Sequence, residues 1–293
     1  MKLLGRYQNG NYTVALFDDG TKIRSNQLTE FIPDKPESID LKICDRCDQG
    51  CPMCHEDSTP DGKLGDILNL PFLDTMLPFA EIAIGGGNPL EHPDLVQFLY
   101  MLREKNLVAN MTVNQVHFIK QQELISDLVG AGLIHGLGVS VKYADLTTLR
   151  LLQDYPNAVV HVINGVLDMD QLEKLYDKNL KMLILGYKDF RRGATAHNQL
   201  TDYKMKKMYE ILPKLPDHFD VLSFDNLAIK QLEPQRLLSE EEWKEYYAGD
   251  DGQFTMYIDA VQREFAQSSV AVERFPLLDD IKPMFERVRS CGT

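Results

Sequence analysis

The stretch "SIDLKICDRCDQGCPMCHE", residues 38–56, decides the fold of this chain. Its first residues, Ser38 to Ile43, read as a short strand. Directly after them, four of the chain's five cysteines fall within eleven positions: Cys44, Cys47, Cys51 and Cys54, spaced C-x2-C-x3-C-x2-C. The thiols therefore sit in a loop leaving the C-terminal end of a strand, where α/β sheets and barrels place their active sites.

Working outward, the same grammar repeats. Short apolar runs predict strands at Ser38 to Ile43, Glu81 to Ile84, Val108 to Val113, Leu137 to Lys142, Ala158 to Ile163 and Lys181 to Leu185. Longer amphipathic segments predict helices at Pro71 to Phe79, Pro93 to Asn106, Ile119 to Ala131, Asp145 to Gln153, Met169 to Lys178 and Thr201 to Lys214. Units of roughly 25 to 35 residues suit right-handed crossovers in a parallel sheet. Six of them fall short of the eight in a full barrel of about 250 residues, so a partial barrel or an open sheet is expected.

Both ends depart from this rhythm. "NYTVALFDDGTKIR" reads as a β-hairpin turning at Asp19 and Gly20, and "FIPDKPES" as a linker, which sets a first unit at residues 1–37. The core then runs over 38–216 and a C-terminal α+β extension over 217–293. In that extension "VLSFDNLAI" suggests a strand running into a helix. Ser239 with Glu242 forms a capping box, and "FTMYIDAVQREFAQSSV" reads either as a strand pair or as a strand and a helix.

With 293 residues, a net charge of −13 and a pI near 5.0, the chain has no general attraction to phosphate backbones or anionic membranes. It has no apolar run of about 18 residues and no signal-peptide pattern at the N-terminus. A cytoplasmic protein is expected, in which thiols stay reduced and clustered cysteines bind metal more often than they form disulfides. One zinc on four thiolates is one reading. Structural zinc knuckles, however, are usually separated by a dozen or more residues, and short spacing is typical of iron-sulfur ligation.

Cys47-x3-Cys51-x2-Cys54 resembles the cluster motif of the radical S-adenosylmethionine (radical SAM) enzymes. That resemblance implies a partial (β/α)6 TIM-type barrel, a 4Fe-4S cluster on these three cysteines, and S-adenosylmethionine (SAM) on the fourth iron. Met53 stands where the family usually has an aromatic. "IGGGNPLEHPDL" resembles the family's Gly-Gly-Glu-Pro through Gly86, Gly87, Asn88 and Pro89, with asparagine in place of the glutamate. "TVNQ" supplies Asn114, "GVSVK" Ser140 and Lys142, "VINGVLD" Ile163 with Gly165, and "LILGYK" Gly186 and Tyr187. By the same resemblance these residues would contact SAM. Lys188, Arg191 and Arg192 add cations at the same rim, suited to a carboxylate.

Each motif also has a plainer reading. A glycine run after a strand is a tight turn, and Asn114 and Ser140 suit helix caps. His55, His92 and His161 suit structural roles as well as proton transfer. Cys44 reads as a small buried hydrophobe and Cys291 as a free thiol on the tail.

The resulting expectation is a radical SAM enzyme in which SAM is cleaved to a 5′-deoxyadenosyl radical that takes hydrogen from a substrate. The substrate is read as a peptide or protein residue, with a small molecule or nucleotide as the alternative. A low-potential electron donor of flavodoxin or ferredoxin type would be a partner, and no catalytic side chain is assigned. A non-catalytic iron-sulfur or zinc module is the reading from another class, but such a module does not need the glycine loop after the next strand.

Overall fold

The computed structural model describes residues 1–28 and 30–291. Strands β1 (Leu3–Asn9), β2 (Tyr12–Phe17) and β3 (Lys22–Ser25) form an antiparallel sheet in that order. The expected hairpin is β2 and β3. Strand β1, hidden in the polar run "GRYQNGN", adds a third strand across the tight turn at Gly10, whose φ is +56°.

The second sheet carries the site. It begins with β4 (Ser38–Cys44), β5 (Glu81–Gly86), β6 (Val108–Asn114), β7 (Gly136–Ser140), β8 (Ala158–Ile163) and β9 (Lys181–Leu185), the six expected strands, and continues with β10 (Val221–Phe224). These pair in parallel, each beside its predecessor. On the other side of β4 lies β11 (Thr255–Asp259), also parallel, followed by antiparallel β12 (Glu264–Ala266) and β13 (Phe275–Pro276). The ambiguous tail segment is thus a strand pair.

In the central strands one side-chain row is packed beneath the helices: Ile39, Leu41 and Ile43 of β4, Ile82 and Ile84 of β5, and Val160 and Val162 of β8 are at most 1% exposed. The alternate row faces the barrel interior and is largely polar, with Asp40, Lys42, Asn110, Thr112, Ser140, His161 and, in register with β4, Tyr257 and Asp259. A polar inner row suits a site rather than a packed plug.

The helices differ from expectation at several points. Between β4 and β5 only a 3-10 turn forms, Pro71–Thr75, because Pro78 disfavours a helical residue before it and removes a donor. The segment after β6 starts earlier, as α2 (Gln115–Lys120), and breaks at Gln121 before α3 (Gln122–Gly130). It follows α1 (Leu95–Glu104) and precedes α4 (Leu146–Gln153) and a short α5 (Met169–Glu173). Then come α6 (Arg192–Ala196), α7 (Gln199–Ile211), α8 (Asn226–Leu232), α9 (Glu240–Tyr246) with its capping box on Ser239, and α10 (Ile281–Ser290).

Candidate active site

The cysteine loop leaves β4 beside the glycine loop that leaves β5, and backbone bonds stitch the two together. Gly87 N donates to Cys44 O at 2.8 Å and Asn88 N to Arg46 O at 2.6 Å. The approach is so close that a Cβ on Gly86 would overlap the Cys44 carbonyl and one on Gly87 the Arg46 carbonyl; Gly86 also has φ +118°. These two glycines are thus required by the packing of one loop on the other. A Cβ on Gly85, in contrast, would meet nothing, so the open space lies there.

The four thiols divide. Cys44 is fully buried, and its Sγ donates to Asn88 O at 3.4 Å. Burial pushes its thiol up to about 11. Cys47, Cys51 and Cys54 are only partly buried. Burial raises Cys47 and Cys51, and so do the neighbouring thiols of the triplet, whereas Lys142 and Arg192 pull Cys51 down. Three thiols therefore share one space faced by two cations, while the fourth is turned into the core. Four thiolates on one zinc at 2.3 Å would lie about 3.8 Å apart, but among the described residues the only such close set of donor atoms is Cys47, Asp48 and His117, within 4.8 Å of one another. This donor set fits a group that takes three protein thiolates from one loop.

The loop is clamped from two sides. Beneath it, Lys42 Nζ meets Asp45 Oδ1 at 2.6 Å, Glu56 Oε2 at 2.9 Å and Asp259 Oδ2 at 3.1 Å, joining both loop stems to β11. Burial alone would raise the Glu56 carboxyl, but His55 and Lys42 hold it well below the usual carboxylate range. Beside it, the segment after β9 docks on the outgoing stem. Lys188 Nζ lies 3.1 Å from His55 Nε2, Arg191 Nη1 donates to Glu56 O at 3.3 Å, and Arg192 Nη2 donates to Ser58 O at 2.7 Å.

No family model matches the chain. A curated relative, PqqA peptide cyclase of Gluconobacter oxydans (strain 621H), is 25% identical over 121 residues, covering 40% of this chain and 32% of that one. The chain thus spans about a third of that relative's length. Among solved structures, SuiB of Streptococcus suis bound to its precursor peptide SuiA superposes with TM-score 0.61 at 10% identity, covering 87% of this chain and 65% of SuiB. SuiB alone gives 0.60 over 97% of this chain and 85% of that one, also at 10% identity. SuiB bound to S-adenosylmethionine gives 0.55 at 12% identity, covering 87% and 64%. The fold is shared with SuiB. This bears out the α/β partial barrel expected from the resemblance to radical SAM enzymes.

Within the SuiB-like fold the remaining expected site residues fall in two groups. Ser140 and Ile163 end β7 and β8 on the inner row, Met53 lies in the cysteine loop, and Lys142 is exposed at the rim. Others are held by the protein itself. The Asn88 side chain is fully buried, accepting from Leu90 N and donating to Glu91 Oε1, with Pro89 opening a 3-10 turn. Asn114 caps α2 by accepting from Val116 N at 2.8 Å. Tyr187 is 4% exposed and donates from its hydroxyl to Gly193 O, while Gly186 N donates to Asp225 Oδ1. His92 is buried against Gly65 O.

Of the inner row below the rim, sequence reasoning named His161 as a structural or proton-transfer group but missed Asp40. His161 lies over Gly138, where a Cβ would collide with the imidazole, and burial lowers it to about 4. Asp40 keeps solvent access despite the wall around it, which desolvates its carboxyl and raises it to about 6; Lys188 acts in the opposite direction. The period-two alternation of β4 and β8 was the available signal for both.

Proposed function

We infer that this chain is a radical SAM enzyme whose substrate is a peptide. The observation that carries the reading is the division of the thiols: Cys47, Cys51 and Cys54 are partly exposed in the loop that leaves the first barrel strand and act on one another electrostatically, while Cys44 is buried and hydrogen-bonded to Asn88 O. Cys47, Cys51 and Cys54 would hold a 4Fe-4S cluster, and the cluster with SAM would supply the one-electron chemistry needed to take a hydrogen atom from the substrate.

The chain's own residues do the rest. Lys42, Lys188, Arg191 and Arg192 fix the two stems of the loop, so the thiols are held in place before any ligand arrives. Lys142 is the exposed cation at the rim, placed to pair with a carboxylate such as that of SAM. The open face of the glycine loop is at Gly85, beside Gly86 and Gly87. Because the Asn88 amide is engaged with Leu90 and Glu91, the backbone rather than this side chain is offered to the cofactor. Met53, Pro89, Asn114, Ser140, Ile163, Gly186 and Tyr187 shape the surrounding wall.

A peptide is favoured because the relative is a peptide cyclase and SuiB has been solved bound to a precursor peptide. The electron would come from a flavodoxin- or ferredoxin-type donor in the cytoplasm. Among the described residues no helix is long and apolar enough to cross a membrane.

The test is anaerobic reconstitution with iron and sulfide, followed by SAM and dithionite, with 5′-deoxyadenosine as the readout. The expected result is its formation by wild type and its loss in Cys47→Ala. A cluster that forms without SAM cleavage, with Cys47→Ala behaving like wild type, overturns the reading.

A further inference from the structure

The loop that carries the cysteine triplet also brings Cys47 into a second, different group of donors. His117, on α2, is 2% exposed, and its Nε2 lies 2.7 Å from Asp48 Oδ1 and 3.2 Å from the Gln49 amide nitrogen. The Cys47 Sγ, one Asp48 oxygen and one His117 ring nitrogen all lie within 4.8 Å of one another. Sulfur, imidazole and carboxylate are the three donor types that zinc and similar thiophilic divalent ions take. Bond lengths of about 2.0 to 2.3 Å place such donors about 3.3 to 3.8 Å apart in a tetrahedron. Reaching that geometry from separations of up to 4.8 Å requires shifts of up to about 1.5 Å, which Asp48, 48% exposed on the loop, has room to make.

We propose that Cys47, Asp48 and His117 form a binding site for a single thiophilic divalent cation, separate in composition from the cluster triplet but sharing Cys47 with it. The two loads exclude each other. A chain carrying one such ion cannot complete the three-thiolate set, so iron-sulfur assembly has to displace the ion first.

The chemistry balances simply. The Cys47 thiol releases its proton to solvent, Asp48 binds as the carboxylate, and neutral His117 binds through one nitrogen with water in the fourth position. Two features limit the affinity. His117 Nδ1 is buried with no hydrogen-bond partner, so the ring lacks the outer acceptor that typically contributes about 10- to 100-fold to metal affinity. Lys120 Nζ lies 3.9 Å from the other Asp48 oxygen and opposes an incoming cation. The site is therefore one that fills when iron and sulfide are absent.

Titration of the iron-free, reduced protein with Co2+ tests this, read by the thiolate-to-cobalt charge-transfer absorption and by metal analysis. One cobalt per chain is expected. The double variant Cys51→Ala/Cys54→Ala should retain it, Cys47→Ala should lose it, and His117→Ala and Asp48→Asn should each weaken it about tenfold or more. Lys120→Gln should tighten it. Asp48 and Lys120 are exposed, so their variants read the site even if His117→Ala does not fold.

Cobalt binding that survives Asp48→Asn and vanishes in Cys51→Ala/Cys54→Ala would place the ion on the triplet and overturn the proposal; so would no binding at all. Zinc loaded beforehand should delay iron-sulfur reconstitution in wild type and less so in Asp48→Asn. Equal rates in both would overturn the exclusion. None of these readouts depends on SAM cleavage, so they stand or fall separately from the enzyme reading.

Discussion

At the scale of single residues, Cys44 and His161 give the clearest expectations. Cys44 donates its thiol proton to Asn88 O in a fully buried position, whereas the other three thiols are partly exposed. Cys44→Ala should therefore leave the iron content and the spectrum of the reconstituted cluster unchanged, at a cost of about 1 kcal/mol in stability, read by chemical unfolding. A loss of iron would mean four thiolates act together. His161 is lowered from 6.5 to about 4 by burial alone. The unfolded chain thus binds a proton there at a pH where the folded chain does not. The contribution is fully present above pH 6.5 and is lost as pH falls toward 4, on the order of 3 kcal/mol at about 1.4 kcal/mol per pH unit. His161→Gln should flatten the fall of unfolding free energy between pH 6.5 and 4, and an unchanged slope would show that the imidazole is not desolvated. The triplet was legible only through the resemblance of Cys47-x3-Cys51-x2-Cys54 to the radical SAM motif, because spacing alone left a four-thiolate site open. The engagement of Asn88 with local backbone was not legible, and for Asn114 the cap stood beside the ligand reading, because an asparagine after a strand serves equally as ligand group or cap and only the finished turn decides.

At the scale of elements, the cysteine loop is the unit to perturb. Lys42 is 3% exposed and meets three carboxylates, from both loop stems and from β11. Removing one partner of a buried ion group strands the others, which costs about 3 to 5 kcal/mol. Lys42→Met should thus lower the melting temperature strongly and reduce iron loading, and Lys42→Arg, which keeps the charge, should recover part of both. Loading as complete as in wild type would show that the clamp does not position the thiols. Most strands of the barrel were readable because they have a buried outer row of apolar side chains. The pairing of β11 with β4 was not readable, because it joins residues about two hundred positions apart through register alone. The expected helix end failed at Pro78, where a local breaker competed with periodicity; the break at Gln121 has no such signal in the sequence.

At the scale of the whole molecule, the question is how the N-terminal sheet is joined to the barrel. Glu37, immediately before β4, is fully buried and accepts from Tyr12 Oη at 2.6 Å and from Arg24 Nε at 2.8 Å, with Lys22 Nζ at 3.5 Å. Lys22 also reaches Glu81 at the start of β5, at 2.5 Å, and the Arg24 guanidinium stacks on Phe254, just before β11. The sheet is therefore tied to the first two barrel strands and to β11 through one buried carboxylate, not through a free linker. Two bodies joined in this way should unfold together. Arg24→Met leaves Glu37 with only Lys22 and Tyr12, so the loss should lie near the lower end of the 3 to 5 kcal/mol typical of a broken buried pair. It should also remove the cation from Phe254 and loosen the packing of Tyr12, Phe31 and Phe254. The measurement is thermal unfolding followed by two probes, intrinsic fluorescence and far-ultraviolet circular dichroism. Wild type should give one coincident transition, and Arg24→Met a lower one. If Arg24→Met instead leaves the barrel transition in place, the sheet is an independent module and the coupling through Glu37 contributes little.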